Sequence, residues 1–162
     1  MGGRSFDDFY GETFDRVGRA LVLAGADREV ARDATQEAFA RALRRWRKVR
    51  EMDRPDGWVF VVAMNQLRDH WRRLDRAPAS FAPSPTDDIA GVATRLSVRD
   101  AIRTLPPRQR QAVVLRYFAD LPLADIALAM DCAVGTVKAT LHQALQHMRV
   151  ELDDTEVDDA DR

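Results

Sequence analysis

Residues 105–149, LPPRQRQAVVLRYFADLPLADIALAMDCAVGTVKATLHQALQHMR, predict three short helices in succession. Pro106 and Pro107 open the first, because proline is tolerated at a helix start and not in its interior. Val113, Val114, Tyr117 and Phe118 are expected to form its apolar face. Pro122 breaks the chain before a second helix, in which Leu123, Ile126, Ala127 and Met130 recur at helical spacing. The turn Asp131-Cys132-Ala133 leads to a third helix with an apolar stripe of Val137, Leu141, Leu145 and Met148. Two short helices joined by such a turn form a helix-turn-helix pattern.

The turn carries much of the specificity. Ala127 is small where the two helices must approach, and Asp131 is expected in the left-handed conformation that ends the second helix, where glycine sits at lower cost. Setting Leu141 toward the core and stepping about 100° per residue puts Gly135, Thr136, Ala139, Gln143 and Gln146 on the outer side. Thr140 and His147 flank that face on one side, Lys138 and His142 on the other. A polar outer face on the second helix of such a pair is what major-groove docking requires.

The chain has 162 residues, room for one ordinary domain or two small ones. A hydrophobic fraction of 46% and a charged fraction of 31% suit a soluble helical protein. One cysteine, Cys132, excludes an internal disulfide and fits a reducing cytoplasm. No apolar run approaches the ~20 residues of a membrane span, and the start, MGGRSFDDFYGE, lacks the apolar segment of a signal peptide. The expected location is cytoplasmic, with no membrane contact.

The formal net charge of −1 hides an uneven distribution. Residues 1–76 hold 16 Lys/Arg against 13 Asp/Glu, and residues 99–149 hold seven against four. Residues 150–162 hold one against seven. Two mildly basic blocks with an acidic end are compatible with a polyanionic partner in a way the total charge is not.

The first block is helical throughout. Ser5-Phe6-Asp7-Asp8 resembles a capping box, and Phe6, Phe9, Thr13, Phe14, Val17 and Leu21 form a helical stripe. Gly25-Ala26-Asp27 interrupts it, with Asp27 able to cap a second helix running from about Arg28 to Trp46. Pro55 opens a third, apolar at Trp58, Val59, Val61, Val62, Met64 and Leu67 and abruptly basic from Arg68 to Arg73. Between Trp46 and Arg73 cations alternate with aromatic residues, a composition suited to unpaired DNA, although each tryptophan taken singly is better explained by core burial. No strand alternation persists, so the fold class is all-α. Two small helical domains are expected, at 1–76 and 99–152. A Pro- and Ala-containing flexible linker over 77–98 joins them, with Asp87 and Asp88 at its centre. An acidic, disordered tail is expected over 153–162.

A family resemblance rests on two motifs. The run Asp33-Ala34-Thr35-Gln36-Glu37-Ala38-Phe39 resembles the D-x-x-Q-E-x-F signature of region 2 in bacterial sigma factors. The opening Leu105–Arg110 and the turn Val134–Lys138 resemble region 4 of the same family. A chain holding just these regions and a short linker resembles the extracytoplasmic-function (ECF) subfamily, over roughly residues 6–150.

The resemblance implies a factor that binds core RNA polymerase and directs promoter-specific initiation, region 2 opening the −10 element and region 4 reading the −35 element. Polymerase contact falls to Asp33, Gln36, Glu37 and Arg41, with Phe39 and Leu43. The −10 element falls to Asn65, Arg68, Asp69, Arg72 and Arg73, with Arg47, Lys48 and Arg50 beside the recognition loop. The −35 element falls to Thr136, Lys138, Ala139, Thr140, His142 and Gln143, with Arg108, Arg110 and Arg116 for phosphates. Family members are often held inactive by an anti-sigma partner.

Three departures weaken −35 binding by the second unit alone. Asp131 stands where glycine is common in the family, Ala133 where a serine caps the third helix, and Thr140 and Gln143 where arginines are frequent. A conventional helix-turn-helix regulator, with a ligand-sensing or dimerising first half, explains residues 105–149 equally well. An enzyme is disfavoured: His70, His142, His147 and Cys132 have no metal-ligand spacing, and there is no nucleophile motif or phosphate loop. No cofactor, metal or small-molecule substrate is expected.

Overall fold

The computed structural model describes residues 4–74 and 93–159, with side chains placed for 4–74 and 98–152. Among these residues all regular structure is helical. Helix α1 (Phe6–Leu23) starts at Ser5, whose Oγ accepts from the Asp8 amide at 3.1 Å and donates to Asp8 Oδ2 at 2.7 Å. Gly25, at φ 113°, turns the chain into α2 (Arg28–Arg44), where Asp27 accepts from the Val30 amide at 2.9 Å. A one-turn helix α3 (Trp46–Val49) precedes α4 (Pro55–Arg73), which begins on its proline. Helices α1, α2 and α4 pack around Phe9, Val17, Leu21, Phe39, Phe60, Met64 and Leu67.

The second unit comprises α5 (Ala93–Thr104), α6 (Pro107–Val113), a π-helical segment (Val114–Phe118), α7 (Leu123–Met130) and α8 (Val134–Asp159). Helix α5 begins inside the expected 77–98 linker. Its Ala101 and Ile102 are buried with Leu105, while Val98 packs at the edge, an i, i+3, i+4, i+7 stripe that belongs to the domain. At the other end, the backbone of α8 runs to Asp159, through most of the expected disordered tail. No glycine or proline occurs after Gly135 to stop it. Asp87 and Asp88 lie outside the described residues.

Two apolar assignments change. The Ala119 amide donates to the Val114 carbonyl at 3.0 Å, a span of five residues in place of four. This wider turn shifts the phase of the helix, so Val114 and Leu115 are buried while Tyr117 and Phe118 are exposed. On α8 the buried stripe is Val137, Leu141 and Ala144; Leu145 is 45% exposed.

The two units do not stand apart. Helix α4 packs against α7, and buried residues of both units form one continuous apolar cluster. A tight approach falls at Gly57, in the first turn of α4, where an added Cβ would lie 3.2 Å from Leu121 Cδ2. Leu121 is fully buried there.

Candidate nucleic-acid interface

On α2, Asp33, Gln36 and Arg41 are exposed, and Leu43 is 56% exposed. Glu37 Oε1 accepts from Arg41 Nε at 2.7 Å and lies 3.6 Å from Arg44 Nη2. The Arg41 hydrogen bond, assisted by the charges of Arg41 and Arg44 against a smaller effect of burial, holds the Glu37 carboxyl below the usual carboxylate range. With its amide oxygen turned toward Arg41, Gln66 of α4 accepts from Nη2 at 2.9 Å. The face is therefore a pre-ordered polar surface with one apolar side chain in it. Phe39 is not part of that surface. It is 2% exposed and lies 5.6 Å from the Phe9 ring and 5.4 Å from the Phe14 ring, as a core aromatic.

The tryptophans obey the same logic. The Trp46 ring lies 5.1 Å from Phe9 and, edge-on, 5.4 Å from Phe6, and Trp58 and Trp71 also pack against the core. Each is half-buried, with its ring tied into the core.

Of the residues expected at a −10 element, Arg47, Lys48, Arg50, Asp69, Arg72 and Arg73 are exposed. Asn65 and Arg68 are half-buried, Arg68 against the second unit. Arg68 Nη1 donates to the Ala129 carbonyl at 2.8 Å, and Arg72 Nη2 lies 3.5 Å from Asp131 Oδ2. Asn65 Oδ1 is buried without a hydrogen-bond partner. Arg73 Nε donates to the Asp69 carbonyl at 3.3 Å.

On α8, Thr136, Lys138, Ala139, His142 and Gln143 are exposed and Thr140 is half-buried. Thr140 Oγ1 donates back to the Thr136 carbonyl at 2.7 Å, which occupies its proton and leaves it an acceptor. His147 Nδ1 meets Gln109 Oε1 at 2.8 Å. The turn before α8 is built as expected: Asp131 has φ 52° and ψ 55°, and the Cys132 amide donates to the Ala127 carbonyl at 3.0 Å.

The arginines expected to hold phosphate are largely employed inside the protein. Arg108 Nη1 donates to the Met130 carbonyl at 2.9 Å and Arg116 Nη1 to the Leu121 carbonyl at 2.9 Å. Both retain donors, because a guanidinium has five. Arg110 does not remain available. It is 4% exposed, and its Nη2 donates to the carbonyls of Arg103 at 3.0 Å and Leu105 at 3.1 Å. Burial pushes its guanidinium below the usual range, as expected for a charge serving as an internal cap.

Two features escaped sequence reasoning. Asp120, a second left-handed residue at φ 52°, lies 3.8 Å from Arg54 across the unit boundary. A groove of about 790 Å³ between α1, α2 and α5 is lined by Arg16, Arg19, Arg28, Arg32, Arg99 and Arg103 above Phe14, Val22, Leu23 and Phe118. Its cations come from three separated helices, so no local charge run announces it. Among the described residues no group of His, Cys, Asp and Glu is arranged to hold a metal, and no helix is long and apolar enough to cross a membrane.

Comparison with known proteins agrees with this arrangement. The family description "Sigma-70 region 2" matches residues 15–77 and "Sigma-70, region 4" matches residues 95–148. The RNA polymerase sigma-E factor of Streptomyces coelicolor is 36% identical over 141 residues, covering 85% of this chain and 78% of that protein. The ECF RNA polymerase sigma factor SigL of Mycobacterium tuberculosis is 32% identical over 142 residues, covering 82% and 80%. The fold is shared with the sigma factor RpoE of Bartonella quintana, solved in complex with the anti-sigma factor NepR, at TM-score 0.65 and 17% identity over 91% of this chain and 96% of that one. It is shared also with CnrH, solved with the cytosolic domain of CnrY, at TM-score 0.58 and 20% identity over 92% and 88%. With α1–α4 carrying region 2 and α5–α8 carrying region 4, this chain belongs to the ECF sigma factors of the sigma-70 family.

Proposed function

We propose that this chain binds core RNA polymerase in the cytoplasm and directs it to promoters, without catalytic chemistry of its own. Region 2 captures the opened −10 element and region 4 reads the −35 element. The observation that carries this reading is the presence in one chain, in order, of both regions, each with an exposed polar helix face on α2 and on α8.

The polymerase contact is assigned to Asp33, Gln36, Glu37, Arg41 and Leu43, a charged face with an exposed leucine whose apolar surface a partner would remove from water. Arg47, Lys48, Arg50, Asn65, Arg68, Asp69, Arg72 and Arg73 are assigned to the −10 strand. Thr136, Lys138, Ala139, His142 and Gln143 are assigned to base edges and phosphates at −35, with Arg108 and Arg116 as secondary backbone contacts. An anti-sigma protein is the expected regulatory partner, as NepR is for the Bartonella quintana factor of this fold. The domain limits proposed are 1–76 for region 2, as the sequence predicts, and 93–152 for region 4, because α5 begins at Ala93.

The test is reconstitution. Adding the purified chain to core polymerase on a genomic promoter library is expected to yield specific transcripts that core alone does not give. Leu43→Asp is expected to lower polymerase affinity about tenfold, the usual scale for an interface anchor, with an unchanged melting curve because Leu43 is outside the core. Tight DNA binding without polymerase-dependent initiation would instead identify a conventional regulator.

A further inference from the structure

Three arginines of region 2 reach region 4. Arg54 Nη2 lies 3.8 Å from Asp120 Oδ2, Arg68 Nη1 donates to the Ala129 carbonyl at 2.8 Å, and Arg72 Nη2 lies 3.5 Å from Asp131 Oδ2. Ala129 is in the last turn of α7, where the helix dipole concentrates negative charge, so Arg68 places its cation on a favourable site.

The receiving residues share an unusual property. Asp120 and Asp131 are the two non-glycine residues with positive φ among the described residues, both at 52°. Glycine adopts this conformation without the steric cost that a Cβ brings. Aspartate is among the few residue types with a Cβ that tolerate it, and it adds a carboxylate that glycine lacks. Here both left-handed turns carry one, and each carboxylate faces an arginine of the other unit. Beneath them, Gly57 leaves room for Leu121, and the buried cluster runs through the boundary.

We infer that Asp120 and Asp131 are clasp residues that hold region 4 closed on region 2, in competition with promoter DNA for Arg68 and Arg72. The competition rests on the −10 assignment proposed above; the closure does not. The −10 and −35 elements are separated by roughly 25 base pairs, or about 85 Å at 3.4 Å each. Helices α4 and α7 in direct contact cannot serve both elements at once. The closed form is therefore an off state, which polymerase must open by holding the two regions apart. Both ion pairs are largely solvent-exposed, so they bias the equilibrium by a modest factor on top of the apolar seam.

The test uses the full chain carrying Asp120→Gly and Asp131→Gly together, with Gly57→Leu as an independent wedge against Leu121. Small-angle X-ray scattering reads closure, and anisotropy of a labelled single-stranded oligonucleotide of random sequence reads access to the region 2 arginines. The double variant is expected to shift the open-to-closed ratio about two- to tenfold, the range for two exposed ion pairs. Its radius of gyration and oligonucleotide affinity should rise together, with no fall in melting temperature because glycine relieves both turns. Gly57→Leu should expand the molecule likewise. Compact scattering in both variants would overturn the clasp, and a higher melting temperature with that result would mark the aspartates as turn residues alone. Expansion without any gain in oligonucleotide binding would overturn the competition, and the −10 assignment of Arg68 and Arg72 with it.

Discussion

Ala133 precedes the first residue of α8, and its carbonyl accepts the Val137 amide at 3.2 Å. Its methyl group offers nothing to the amides of the first turn, which are left to solvent. Ala133→Ser is expected to stabilise the protein by about 1 kcal/mol, raising the melting temperature by roughly 2–4 °C for a chain of this size. Differential scanning calorimetry checks it. Glu37 supplies a second residue-scale prediction. Its folded carboxyl lies below the ordinary value, so the stabilisation it provides is complete above the unfolded pKa and is lost as pH falls through the folded one. Wild type should thus exceed Glu37→Gln in stability at neutral pH, and the two should converge in acid below the ordinary glutamate range. Urea denaturation at a series of pH values reads the convergence. Capping at Ser5 and Asp27 and the left-handed turn at Asp131 were legible in the sequence, because each depends on residues within three or four positions. The apolar face of α2, which holds Ala34, Ala38 and Phe39, was legible by its spacing as well, although the signature around Phe39 pointed it toward polymerase. The burial of Arg110 was not, because only tertiary packing distinguishes an arginine that holds two carbonyls from one that meets a phosphate.

Among the elements, α6, the π-helical segment and α8 together show how the protein divides its cations. Arg108 and Arg116 cap the carbonyls around α7, Arg110 is internal, and Lys138 stands free on the outward face. At most three of these four can neutralise phosphates. Acting alone on duplex DNA, these region 4 cations limit the slope of log affinity against log salt to about −3, from −0.9 per phosphate. Titrations of the full chain between low and moderate salt measure it, and a slope near −6 would mean that further cations, such as those of the arginine-lined groove, join the contact. Helix α5 starts inside the predicted linker, because the prolines at 78, 83 and 85 give the stretch before residue 99 the composition of an extended connection. Its apolar stripe at Val98, Ala101, Ile102 and Leu105 was nevertheless present. The π-helical segment was beyond sequence reasoning in a stronger sense. A five-residue hydrogen bond rephases the helix, so a fixed 100° step assigned Tyr117 and Phe118 to the core and the fold turned them outward.

For the whole molecule, the family, the all-α class and the two-region order could be obtained from short motifs, whereas the relation between the regions could not. Arg68 and Arg72 look like DNA contacts in isolation, and Asp120 and Asp131 look like ordinary turn acids. Their pairing joins positions 59 to 66 residues apart on the boundary pairs Arg72–Asp131 and Arg54–Asp120, and no local pattern encodes it. The packing also links stability to activity. Because one apolar cluster runs through both regions, opening exposes Leu121 and the α7 surface that α4 covers, at a hydrophobic cost that polymerase binding must offset. Full activation by polymerase is accordingly expected to need free-factor concentrations that fall when the seam is weakened. Transcription titrated with the Gly57→Leu variant should reach half-maximum at a lower concentration than wild type.

Cys132 lies in the turn next to Asp131, half-buried, and is the one thiol in the sequence. A polarity-sensitive dye attached there needs no other cysteine removed and sits one residue from the carboxylate that meets Arg72. Its emission then becomes an optical gauge of whether the factor is shut or engaged, readable in real time as polymerase, DNA or an anti-sigma protein is added.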